Sequence, residues 1–112
     1  MTCNCNFHKT TAIAVANNTL NLTVTNSTNI SSLDCFELVL CQNPDTVVTG
    51  SPIPVTLTIN GSTAQLYNKY HLPVYSNRLC PRKLYKGWYV NNGTDAWVEL
   101  KNTPDCPVYA QP

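Results

Sequence analysis

From residue 10 onward apolar and polar residues alternate along most of the chain, and a period of two predicts strands rather than helices. In TTAIAVA, Ile13 and Val15 share a face; in TLNLTVT, Leu20, Leu22 and Val24 share one face while Asn21, Thr23 and Thr25 take the other. These two segments read as strands joined by an Asn17-Asn18 turn. LDCFELVLC is a third strand, ended by the turn residues NPD at 43 to 45, with TVV at 46 to 48 as a short fourth. IPVTLTI sets Ile53, Val55, Leu57 and Ile59 on one side and runs into Asn60-Gly61, a strong two-residue hairpin signal because both residue types accept positive φ. TAQLY then returns as its partner. Pro52 and Pro54 lack amide donors, which suits an edge position or a strand start, and the strand edges around 53 to 59 are candidate contact surfaces. NKYHLPVYSNRLCPR reads as a long, partly ordered connection. KLYKGWYV and DAWVEL flank NNGT as a last hairpin, with Leu84, Trp88 and Val90 directed to a core or an interface. The expected fold is all-β: a single antiparallel β-sandwich, immunoglobulin-like or jelly-roll-like, of about seven or eight short strands. One domain covers residues 1–112, with 1–9 and 103–112 as irregular terminal segments.

Composition changes the expected surface. Only 12% of the 112 residues are charged, against about 25% in typical soluble domains, so the polar exterior is built from Asn, Thr and Ser. Neutral amides and hydroxyls cost less to desolvate than ions and pair in either direction across a contact, which favours close packing against neighbours. A Thr-rich sheet face also suits a plain monomer, because Thr favours strands whatever the function. The net charge of +1 offers no field for a phosphate backbone, and basic residues cluster only at Arg82, Lys83 and Lys86. Nucleic acid is therefore not an expected partner. The opening MTCNCNFHK carries no secretory signal, AIAVA at 12 to 16 is too short for one, and no membrane span is present, so synthesis and first folding are expected in the cytosol.

Cys3, Cys5, Cys35, Cys41, Cys80 and Cys106 make an even set, read as disulfides in an oxidising compartment and as thiols in a reducing one. Cys35 and Cys41 are six residues apart, about 20 Å along an extended strand, and cannot bridge each other. A Cys3–Cys106 bridge would hold down both ends of the chain. Cys3, Cys5 and His8 lie close enough in CNCNFH to share an ion, but no paired CxxC or HxxxH unit accompanies them, so neither metal nor cofactor is expected.

The six carboxylates are scattered, and no nucleophile motif, P-loop or Gly-rich oxyanion turn is present. His71 is the one histidine with a conceivable basic role, toward Cys80. A loop histidine is more often a packing or hydrogen-bonding residue, and the chain is read as non-enzymatic. The aromatic constellation is more informative. Tyr67, Tyr70, Tyr75, Tyr85, Trp88, Tyr89 and Trp97 concentrate in one third of the chain with Arg78 among them, and these residue types anchor contacts. Consecutive Trp88 and Tyr89 on a strand must face opposite sides, so at least one lies outside the core. Core filling by the same aromatics is the competing reading, and stacking on sugars would give a glycan site. The sequons at Asn17, Asn21, Asn26, Asn29, Asn60 and Asn92 follow from Asn and Thr enrichment.

The segments MTCNCNFHKTTAIAV, LTVTNSTNISSLDCFELVLC and LPVYSNRLCPRKLYKGWYV are similar to small virion-associated proteins of gut bacteriophages, of the capsid decoration or head-fibre type. The resemblance implies a structural protein assembled onto a virion in the host bacterial cytoplasm, with capsid or head-fibre proteins and copies of itself as partners. A secreted or cell-surface domain, stapled by disulfides and binding glycan, is the alternative.

Overall fold

The computed structural model describes residues 5–24, 32–59 and 61–101, with side chains from residue 8 onward. Seven strands form among them: β1 (Cys5–Ala16), β2 (Thr19–Val24), β3 (Asp34–Val39), β4 (Val55–Ile59), β5 (Ser62–Tyr67), β6 (Leu84–Asn91) and β7 (Ala96–Leu100). They close on themselves in the order β1-β2-β4-β5-β7-β6-β3, so the expected antiparallel sandwich gives way to a barrel of mixed direction. Four neighbouring pairs are antiparallel, and β1/β3, β2/β4 and β5/β7 are parallel. The three hairpins β1–β2, β4–β5 and β6–β7 are placed side by side by crossovers that return each chain direction, and the β1/β3 pairing seals the ring.

Closure leaves no room for a second sheet and turns one side of every strand inward. Leu20, Leu22, Phe36, Leu38, Leu57, Leu66 and Val98 are fully buried and fill the interior with Tyr85 and Tyr89. A barrel of this size has an interior that side chains fill completely, so it is a core and not a ligand channel. Fully burying each such side chain is worth about 1.5–3 kcal/mol, which makes this alternation the main reason the register is fixed. His8 belongs to the same interior at 2% exposure, its imidazole stacked on Phe36 at 4.7 Å between ring centres.

Several local expectations are corrected. Residues 5–9 are not irregular: they form the first half of β1, paired with β3 from Cys5↔Cys35 to Lys9↔Val39. TVV at 46 to 48 is not a strand, because Asn43 caps a single 3-10 turn at Pro44–Thr46 by accepting from the Asp45 N–H at 3.0 Å. The strand around 53 to 59 has no free edge, since β4 is hydrogen-bonded to β2 on one side and β5 on the other. Pro54 is accommodated because the chain only enters the ladder there, in a lone bridge to Tyr75. The connection between β5 and β6 is ordered: Val74 and Leu79 join the core, and Val74 donates to Leu66 O while its own carbonyl accepts from Val55 N–H. This segment wedges between the start of β4 and the end of β5. Residues 103–112 lie outside the described residues.

Candidate functional site

Among the described residues, the outer surface of β5, β7 and β6 is where distinctive side chains gather. Register sets them in rows. Tyr67 on β5 stands beside Glu99 on β7, which stands beside Trp88 on β6, and Gln65, Trp97 and Val90 form the row above. Strand alternation sends Trp88 outward, 38% exposed, and its neighbour Tyr89 inward. Lys101 Nζ lies 5.5 Å from the centre of the Trp88 ring. Lys86, two residues along on the same face, pairs with Glu37 at 3.3 Å.

His71 comes to this face from the β5–β6 crossover. Asn68 builds the turn that carries it: its side-chain oxygen accepts from the N–H groups of Tyr70 and Leu72 at 2.9 and 3.1 Å, and its carbonyl accepts from His71 N–H at 2.9 Å. The turn holds His71 at φ 61, a left-handed conformation that a side chain other than glycine rarely adopts. The imidazole then stacks on Tyr67 at 4.3 Å, meets Trp97 edge to face at 5.6 Å, and bonds Glu99 Oε1 through Nδ1 at 2.9 Å. A groove of about 450 Å³ runs beside this cluster, lined by Thr63, Gln65, Tyr67, His71, Asp95 and Trp97. Trp97 Nε1–H is shut away from water and has no acceptor among the described residues. A buried donor left in that state costs on the order of 1–3 kcal/mol.

The eight residues singled out by sequence divide into three groups. Tyr67, Trp88 and Trp97 come together on one face. Tyr70, 65% exposed, projects from the turn that carries His71, while Tyr75 and Arg78 are exposed farther along the same crossover. Tyr85 and Tyr89 are core residues, and neither presents a ring to a partner: the Tyr85 hydroxyl accepts from Cys80 N–H at 2.8 Å, and that of Tyr89 accepts from the Asn91 amide at 3.0 Å. His71 and Glu99 belong to the site but were not placed there by sequence. Their signal was weak, because His71 lies inside the sixteen-residue crossover between β5 and β6 and Glu99 meets it only through the parallel β5/β7 pairing.

The cysteines are also sorted. Cys35 and Cys80 are disulfide-bonded, while Cys41 is free and exposed. Cys35 sits opposite Trp88, and Cys80 lies beyond the far end of β3, where Arg82 N–H reaches Leu40 O. Cys3, Cys106 and the Cys5 side chain lie outside the described residues, and so does the bridge expected between the chain ends. With its sulfur bonded, Cys80 is no thiolate for His71 to serve, and His71 is turned to Glu99 instead. His8, considered beside Cys3 and Cys5 as a metal ligand, is turned into the core. Among the described residues no group of three or more His, Cys, Asp or Glu side chains is placed to hold a metal. The chain matches no protein-family model, no curated protein and no solved structure.

Proposed function

We propose that the protein is a non-enzymatic structural subunit of a bacteriophage virion, a capsid decoration or head accessory acting through protein–protein contacts. The observation that carries the reading is the outer face of β5, β7 and β6. Trp88, Trp97, Tyr67 and Tyr70 are held at the surface by rigid strands and a strained turn, while Tyr85 and Tyr89 already fill the core. Aromatic rings fixed on adjacent strands lose little conformational entropy on contact, which is what anchors an interface. The neutral Asn and Thr surround lowers the desolvation cost of docking, and the resemblance to gut-phage proteins supplies the setting. Mass spectrometry of purified particles from a host carrying this gene tests the reading. Peptides of this chain in fixed ratio to the major capsid protein are expected; recovery from the cell envelope and not from particles would sink it.

A second reading has its own observation. Disulfide bonds at Cys35 and Cys80 suit an oxidising compartment, and the Trp97 groove combines aromatic edges with Gln65, Thr63 and Asp95, donors and acceptors suited to sugar hydroxyls. A disulfide-stapled extracellular domain binding glycan would use both. Binding of soluble oligosaccharides that is lost in Trp97→Ala, with the chain absent from particles, would favour it.

A further inference from the structure

The barrel closes through only the first half of β1. Up to Lys9 this strand is paired with β3; at Thr11 a bulge shifts the register, and from Ala12 to Ala16 the strand is paired with β2 alone. The chain that follows β3 turns away at this point and is hooked to β1 by Thr10, whose hydroxyl accepts from Cys41 N–H at 2.9 Å and donates to the Gln42 side chain. Beyond Thr10 the other edge of β1 has no hydrogen-bonded strand among the described residues. Ala12, Ala14, Val15 and Ala16 are exposed, Val15 at 44%.

Native proteins guard such an edge with lysine, proline, an inward charge or a covering segment, because a row of unpaired N–H and C=O groups is a template for another strand. This edge carries Ala-Ile-Ala-Val-Ala, and no charged residue or proline lies between Lys9 and Asp34. The Asn17-Asn18 turn, at φ 52 and 61, has the two left-handed residues of a tight hairpin whose twist matches its strands, and it keeps the edge extended.

We propose that β1 is a self-association edge, pairing antiparallel with β1 of a second copy of this chain about a two-fold axis at Ala14. The occupant follows from symmetry and charge. Antiparallel pairing about Ala14 sets Ala12 against Ala16 of the second copy and Ile13 against its Val15. On one face small alanines meet alanines, so the ribbons approach without steric conflict. On the other, Ile13 and Val15 of both copies join in one apolar patch, which covers the exposed Val15 and extends from Leu20 and Leu22, their cross-strand partners. No like charges meet anywhere along the join, a condition that a self-complementary edge must satisfy and a neutral one satisfies automatically.

The test uses the full chain carrying Cys41→Ser, so that no thiol cross-link imitates pairing, in sedimentation equilibrium and in hydrogen exchange. The parent is expected to show a species of twice the 12.4 kDa chain mass, with amide exchange across residues 12–16 slowing as protein concentration rises. Ala14→Lys places two ammonium groups at the axis and is expected to weaken the dimer about tenfold or more, a change of 1.4 kcal/mol per decade, while Ala14→Thr leaves it intact. A parent that stays monomeric with exchange independent of concentration overturns the proposal. So does a dimer indifferent to Ala14→Lys but dissolved by Trp88→Ala, which would place self-contact on the aromatic face. Should Ala14→Lys fail to fold, the concentration dependence of exchange in the parent decides alone.

Discussion

Gly87 shows how narrowly a single position is specified. On β6 it faces the barrel interior between Tyr85 and Tyr89, in register with Phe36 on one side and Leu100 on the other. A Cβ added there would stand 2.2 Å from the carbonyl oxygen of Glu99, and that atom is backbone, so no rotamer change relieves it. Here glycine lets two strands approach more closely than any side chain permits. Gly87→Ala is expected to cost about 1–3 kcal/mol, as overpacking of a full core does, read as a lowered urea midpoint; an unchanged midpoint would mean that β6 and β7 separate freely. Trp88 and Tyr89, adjacent in sequence, are expected to part company under the same measurement. Tyr89→Ala removes a core ring and should cost about 3–5 kcal/mol. Trp88→Ala should stay within about 1 kcal/mol of the parent; under the proposed virion role its effect is expected in particle binding, where loss of a central aromatic anchor costs about 2 kcal/mol or more. Alternation alone revealed that one of the pair is outside. Which one it is depends on the register with β3 and β7, and no local property of LYKGWYV encodes that.

At the scale of elements, what was legible follows the line between local and non-local pairing. Each hairpin announces itself through its turn: Asn17-Asn18 with two left-handed residues, Gly61 at φ 80, and the NNGT loop, where Asn92 Oδ1 accepts from the N–H groups of both Thr94 and Asp95. All three were read. The parallel pairs were not, because residues far apart in sequence and joined by a crossover leave no periodic mark, and a sandwich built from the same hairpins has the same local pattern. On the outside of β2 and β4, Asn21 Oδ1 accepts from Thr56 and its amide lies 2.9 Å from Thr58 Oγ1. That is a side-chain join across a parallel pair, invisible until the pair is known. The cysteines likewise needed the fold, since chain separation excluded a Cys35–Cys41 bridge but did not say which sulfurs are bonded. Alkylation of the native protein without reductant is expected to label Cys41 and spare Cys35 and Cys80; label on either would refute the bonding. Reduction should then lower stability by about 2–4 kcal/mol for each bond opened, followed as a shift in the urea midpoint.

For the whole molecule, closure decides how stability is shared. In an open sheet an edge strand can peel away while its neighbours keep their partners, but in this ring β2 to β7 each carry a neighbour on both sides and share one interior. Releasing β3 from β1 opens a row of hydrogen bonds and exposes Phe36 and Leu38 to water at once, and the remaining strands no longer enclose a core. Unfolding is therefore expected to be a single transition, with far-ultraviolet circular dichroism of the strands and fluorescence of the outward Trp88 and Trp97 giving the same midpoint. The exception is built into β1. Its segment from Ala12 to Ala16 hangs on β2 alone and buries little, so in the dilute monomer its amides should exchange through local opening, well before those of Leu22, Leu38, Leu57 and Val98, which should exchange together at the free energy of global unfolding. Hydrogen exchange resolved by residue measures both. Midpoints that disagree between probes, or core amides on β3 that exchange as early as the hairpin tip, would mean that the ring opens at the β1/β3 seam before the core melts.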